Sequence, residues 1–319
     1  MISILKKIKQ RALRYKRIAQ QYNSKLKFKK KINIQYDEWF FVFPFGIGDF
    51  YLFLSLLETF KNNNIGNVNL GILKTNQIQL LDLFNVKVNR IVYITNFELK
   101  FCENNKFCTG IPIILHPAFF LSNSLQSLIG YNGLTLNDIY KIMLDLPVQT
   151  ENQKPISKQI YIESAKEKFN NYGLVGCKTI LIAPHANSFD EKIIPFKFWE
   201  QLIGRLQSIG YKVLLNSIKE PYVNFKNVLS VDFPLNEAIP FVEMCDNFIG
   251  ARSGFCDLIS TCKSHKYIIY PSINWFSGSF LQGSSLISMG LVQDSISEFE
   301  LNPNSFESVI NEIINSINK

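Results

Sequence analysis

The sequence predicts an α/β chain of two Rossmann-like domains, their parallel sheets facing across a cleft. Short apolar runs alternate with helical patterns along most of the chain, as strands joined by crossover helices require. A polar, proline-bounded stretch, Pro147 to Pro155, interrupts the alternation once and reads as an inter-domain linker. With 319 residues, 47% hydrophobic and 19% charged, the chain is globular in composition and long enough for a core in each half.

Three parts follow: an N-terminal arm over 1–36, a first domain over 37–150 and a second over 151–319. Residues 2–22 read as an amphipathic helix, with Ile4, Ile8, Tyr15, Ile18 and Tyr22 at three- and four-residue steps among Lys, Arg and Gln. In the first domain, strands are predicted at Trp39–Phe45, Val68–Ile72, Arg90–Ile94 and Pro112–Leu115, with helices at Asp49–Lys61, Thr75–Leu83 and Leu136–Asp145. In the second, strands are predicted at Thr179–Ala183, Lys212–Asn216, Val228–Val231, Asn247–Ile249 and Lys266–Tyr270. Its helices are Glu163–Tyr172, Pro195–Ser208, Asn236–Met244, Ser253–Cys262 and a last one, Ser305–Ile317, expected to pack back onto the first domain.

The net charge of +8 is unevenly placed. Residues 1–36 hold twelve Lys/Arg and no acid, leaving 22 bases against all 26 acids elsewhere, a net of −4. An acidic body without an interleaved basic-aromatic patch argues against a nucleic-acid partner. The arm, over residues 1–31, is suited to an anionic membrane surface. Six cysteines form no C-x-x-C pair, and several sit in apolar stretches, the usage of reduced thiols rather than of a disulfide framework. His116, His185 and His265 are far apart, which gives no zinc signature. With no bilayer-length apolar run and no secretory signal, the expected location is cytoplasmic.

Three strand-to-helix turns carry polar chemistry. The first, Phe43-Pro44-Phe45-Gly46-Ile47-Gly48-Asp49, ends a buried strand. Gly46 and Gly48 allow close approach of a ligand on the acceptor side of the cleft. Asp49 at the carboxyl edge of the sheet is suited to take a proton from a hydroxyl, or else to cap the helix. The second turn runs from Ala183-Pro184 through His185, Asn187 and Ser188 to Asp190-Glu191-Lys192 and Pro195. Lys192, just before a helix, is placed to meet a phosphate, or is an exposed lysine in a charged turn. The third, Gly250-Ala251-Arg252-Ser253-Gly254, opens a helix at Ser253. It reads as a diphosphate cradle completed by Arg252, or as a capped helix whose Arg252 pairs with an acid of its own domain.

These turns, in this order, resemble the heptosyltransferase family, glycosyltransferase family nine. The matches are Gly48-Asp49, then Asp190, Lys192, Pro195 and Trp199, then Gly250 to Gly254. The family has Asp before its Ser/Thr-Gly where this chain has Arg252. The resemblance implies a GT-B fold and an inverting, metal-independent transfer with no cofactor beyond a nucleotide-sugar co-substrate. Asp49 would be the base, and His185, Asn187, Ser188, Lys192, Arg252, Ser253 and Gly254 would bind the donor. The acceptor would be a glycan or glycolipid of the bacterial surface, such as lipopolysaccharide or capsule, reached from the inner face of the membrane. A nucleotide-sugar epimerase of the same architecture and a non-catalytic binding subunit are the competing expectations.

Overall fold

A computed structural model describes residues 2–102, 106–120, 133–217, 222, 225–275, 278–292 and 294–318. The chain divides into two compact units whose segments interleave. One comprises the stretch to Pro44, Asn64–Leu73 and Val88–Leu115; the other comprises Phe45–Asn63, Lys74–Lys87 and the chain from His116 onward.

The first unit holds a four-stranded parallel sheet of β1 (Trp39–Phe43), β2 (Val68–Ile72), β3 (Arg90–Tyr93) and β4 (Pro112–Ile114), in the order β3-β2-β1-β4. Every residue of β1, Trp-Phe-Phe-Val-Phe, is buried, as a strand covered on both faces demands. Helix α1 (Ile2–Ile32) is ten residues longer than the sequence periodicity predicts. Its last turns dock: Phe28 and Ile32 are buried, Phe28 lies 6.1 Å from the Phe101 ring, and Lys31 donates to both oxygens of Glu98. Arg90 donates to the carbonyls of Ile32 and Asn33, closing the helix C-terminus.

The second unit holds a six-stranded parallel sheet: β5 (Thr179–Ala183), β6 (Lys212–Leu215), β7 (Leu229–Ser230), β8 (Asn247–Ala251), β9 (His265–Pro271) and β12 (Ile296–Leu301). The order is β12-β9-β8-β5-β6-β7. A short antiparallel pair, β10 (Asn274–Trp275) and β11 (Gly278–Ser279), lies beyond β9. The helices of this unit are α2 (Ile47–Asn63), α3 (Asn76–Leu81), α4 (Pro117–Phe120), α5 (Leu136–Met143), α6 (Gln159–Asn171), α7 (Phe196–Ser208), α8 (Ala238–Glu243), α9 (Gly254–Leu258), α10 (Phe280–Ser284) and α11 (Glu307–Ile317). Helix α2 buries Phe50 through Leu57 on all sides, which fits its near-continuous apolar sequence. Ile180, Ile182 and Ile249 of the sheet pack with Phe198, Trp199, Leu202 and Leu206 of α7 and with Ile310 and Ile313 of α11.

Two expectations change here. Helix α11 packs within its own unit, because its apolar stripe of Val309, Ile310 and Ile313 is buried in the α7 core. The Pro147–Pro155 stretch also runs inside the second unit. Asn152 donates to Ser55 Oγ, and the amides of Gln153 and Ile156 bond to the carbonyls of Ser55 and Leu83. Strand β12 and helix α10 were not predicted. Among the described residues no helix is long and apolar enough to cross a membrane.

Candidate active site

All ten residues singled out by the sequence lie in the second unit. Strands β5 and β8 are neighbours, with Ala183 beside Gly250, so their loops leave the same carboxyl edge of the sheet. Ser188 Oγ donates to the Arg252 carbonyl at 3.4 Å, tying the second turn to the third. His185 Nε2 lies 3.1 Å from Asn187 Oδ1, and Asp190 accepts from the Lys192 amide, which leaves the Lys192 side chain exposed on a 3-10 turn.

The glycines of the first and third turns face each other. A Cβ on Gly254 would lie 2.3 Å from the Gly48 nitrogen, and one on Gly48 would lie 2.7 Å from Asp257 Oδ2. Gly48 and Gly254 therefore serve the packing of α2 on α9, backbone against backbone. At Gly46 a Cβ would meet nothing within 4 Å.

Arg252 corrects the diphosphate cradle. It is 4% exposed, and its guanidinium is spent within the protein. Nη2 donates to Asp257 Oδ1 at 2.6 Å, Nη1 to Asp257 Oδ2 and the Ser253 carbonyl, and Nε to the Ser284 carbonyl at 2.8 Å. Burial pushes the Asp257 carboxyl up to about 6 against the pull of Arg252, and the nearby Asp49 carboxylate adds to the rise. Helix α9 has only five residues, and Ser253 makes no side-chain capping bond. Arg252 is thus engaged within the protein, Gly254 is packed against Gly48, and Ser253 is half-buried beside them.

Asp49 occupies the third position of α2, inside the first turn rather than at the N-cap. Its Oδ1 accepts from Tyr140 Oη at 2.7 Å and lies 3.8 Å from His116 Nε2. Tyr140 is fully buried on α5, a helix opened by the Thr135/Asp138 capping box. Burial and the Asp49 carboxylate hold the Tyr140 phenol well above its usual range, so it acts as a donor. Burial lowers the His116 imidazole, against the pull of Asp49, which favours its neutral form. Tyr140 and His116 were missed as partners of Asp49, for no motif links residues 91 and 67 positions away. Among the described residues no cluster of three or more His, Cys, Asp or Glu could hold a metal ion.

No family model matches the sequence, and no curated protein does. Solved structures do. The chain is similar to a glycosyl transferase family 9 protein from Veillonella parvula, at 15% identity, TM-score 0.57, over 88% of this chain and 92% of that one. It is similar to E. coli ADP-heptose lipopolysaccharide heptosyltransferase II, at 13% identity, TM-score 0.58, over 88% and 100%. The iron-containing dodecameric heptosyltransferase TibC matches at 13% identity, TM-score 0.50, over 74% and 59%. The fold is GT-B. Its two parallel sheets are the four- and six-stranded sheets described above.

The buried ion pair generates a test within this GT-B chain. Arg252→Met leaves Asp257 buried and unpaired, and should cost about 3–5 kcal/mol. A carboxyl whose folded value is raised destabilises the fold as pH climbs through that value, and stops doing so once protonated. The melting-temperature deficit of Arg252→Met should therefore shrink as pH falls from neutral towards about 4. A deficit independent of pH would show that the lost bonds, not the stranded charge, dominate.

Proposed function

We propose that this chain is a glycosyltransferase. It moves a sugar from a nucleotide-sugar donor to a hydroxyl of a bacterial surface-glycan acceptor, with inversion and without a metal ion. The observation that carries the reading is Asp49, a carboxylate at the start of α2 with one oxygen engaged by a buried tyrosine. In the reaction, Asp49 takes the proton of the acceptor hydroxyl as the oxygen attacks the anomeric carbon, and the bond to the nucleoside diphosphate breaks on the opposite face. His185, Asn187, Ser188, Lys192 and Ser253 form the donor side, Lys192 supplying positive charge to the departing diphosphate. The ADP-heptose named for the E. coli relative supports a nucleotide-sugar donor as a class. Asp49→Asn keeps an oxygen able to accept from Tyr140, so its melting temperature should stay near that of wild type. Turnover of the transfer should fall about 10²–10⁴-fold, the range for loss of a general base. Near-normal turnover in Asp49→Asn would sink the mechanism, and conversion of free nucleotide sugar without an acceptor would point to an epimerase instead.

We also propose that α1 holds the protein on the anionic inner face of the cytoplasmic membrane. Tyr15, Ile18, Tyr22 and Leu26 are exposed on α1. At about 100° per residue they fall within about 80° of one another, and the docked Phe28 and Ile32 lie roughly 100° round the helix. The apolar stripe is thus centred on a different face from the docked residues and is flanked by Arg14 and Lys25 on one side and Lys30 on the other. Removing residues 1–26 spares the docked turns, and should abolish sedimentation with phosphatidylserine-containing vesicles while a soluble acceptor is still glycosylated. Undiminished vesicle binding would rule out the membrane role.

A further inference from the structure

Beside the Asp49 carboxylate lies a cluster of rings that the reaction as proposed leaves unused. Phe45 precedes α2 by two residues and is 42% exposed, whereas the phenylalanines of β1, just before it, are buried. Its backbone is fixed by Gln77, whose Nε2 donates to the Phe45 carbonyl at 3.2 Å. Its ring is braced edge-on by His116, with centroids 4.4 Å apart, and by Phe119 at 5.8 Å. An aromatic ring held this firmly and still open to solvent forfeits the burial that normally stabilises one, about 1.5–3 kcal/mol for a phenylalanine. Such a ring is suited to cover an apolar ligand face.

His116 supplies the polar half. Its Nδ1 accepts from the Ala118 amide at 3.1 Å, so the neutral ring carries its proton on Nε2. That Nε2–H is directed to the side of Asp49, 3.8 Å from Oδ1, a separation beyond a direct hydrogen bond. Tyr140 already holds Oδ1, which leaves Oδ2 for a ligand. The other charged groups near Asp49 are Asp257 and Arg252, and they satisfy each other.

We propose that Phe45, His116 and Asp49 form the acceptor subsite, and that its ligand is a pyranose ring. The apolar C–H face of the sugar stacks on Phe45, one hydroxyl accepts from His116 Nε2, and the reacting hydroxyl donates to Asp49 Oδ2. This chemistry fits a ring with an apolar face and vicinal hydroxyls, and fits a lipid tail or a flexible alditol poorly. The assignment rests on Asp49 being the base of the reaction, but its test does not.

Phe45→Trp keeps the stacking ring and makes it fluorescent. Titrating this variant with methyl glycosides of glucose, galactose, mannose and N-acetylglucosamine should shift its emission for at least one, and the shift should persist in Phe45→Trp/Asp49→Asn. In transfer assays Phe45→Ala should raise the acceptor KM about tenfold with kcat nearly unchanged, an effect the size of one aromatic contact, while Phe45→Tyr retains the wild-type KM. His116→Gln, which keeps a donor, should bind the acceptor more tightly than His116→Phe. If no methyl glycoside alters the emission and Phe45→Ala leaves the acceptor KM unchanged, the subsite is overturned. An inactive Asp49→Asn in that same series would show that the base assignment survives without it.

Discussion

Helices α2 and α9 meet at Gly48 and Gly254 with no side chain between their backbones, and the site depends on that contact. It brings Asp257 against the first turn of α2, where its carboxylate would be a stranded buried charge without Arg252. Arg252 in turn reaches the Ser284 carbonyl at the end of α10. Ser285, the Leu286 amide and Tyr270 gather on Glu298 of β12, so the edge strand is joined to the same network. A larger residue at either glycine would force apart helices whose backbones meet there, an overpacking cost of about 1–3 kcal/mol.

The same contact sets the chemistry. With α2 seated on α9, Asp49 is turned towards α5 and α4, where Tyr140 and His116 are the groups that meet it. One carboxylate oxygen is committed to a buried phenol, and in the proposed reaction the other meets the acceptor hydroxyl.

The strands were legible because they are extreme. Trp39–Phe43 and Thr179–Ala183 are unbroken apolar runs, and both are fully buried in parallel sheets. Strand β12 was not, since Ile-Ser-Glu-Phe-Glu-Leu is half polar with only Leu301 buried, and Glu298 is there to accept hydrogen bonds. Asp49 was legible from its glycine-flanked turn. For Arg252 the sequence left two readings open, and the pair with an acid of its own domain is the one seen, since a sequence gives the charge of a guanidinium but not whether it points outward. Here the partner is Asp257, five residues on, and the pair is buried. Gly48 signalled a close backbone approach, and what packs on it is helix α9, whereas nothing lies within 4 Å of a Cβ at Gly46. Tyr140 reaches Asp49 from 91 residues away, a contact fixed by tertiary packing alone.

The central claim is that the second unit binds a sugar nucleotide at the carboxyl edge of β5 and β8. A thermal-shift series with UDP-, GDP-, ADP-, CMP- and TDP-sugars measures this most directly, because a ligand that binds only the folded chain raises the melting temperature by mass action. The account predicts that one nucleotide class raises it in a saturable way and that Lys192→Ala blunts the rise. No shift with any of the five, or an undiminished shift in Lys192→Ala, would contradict it.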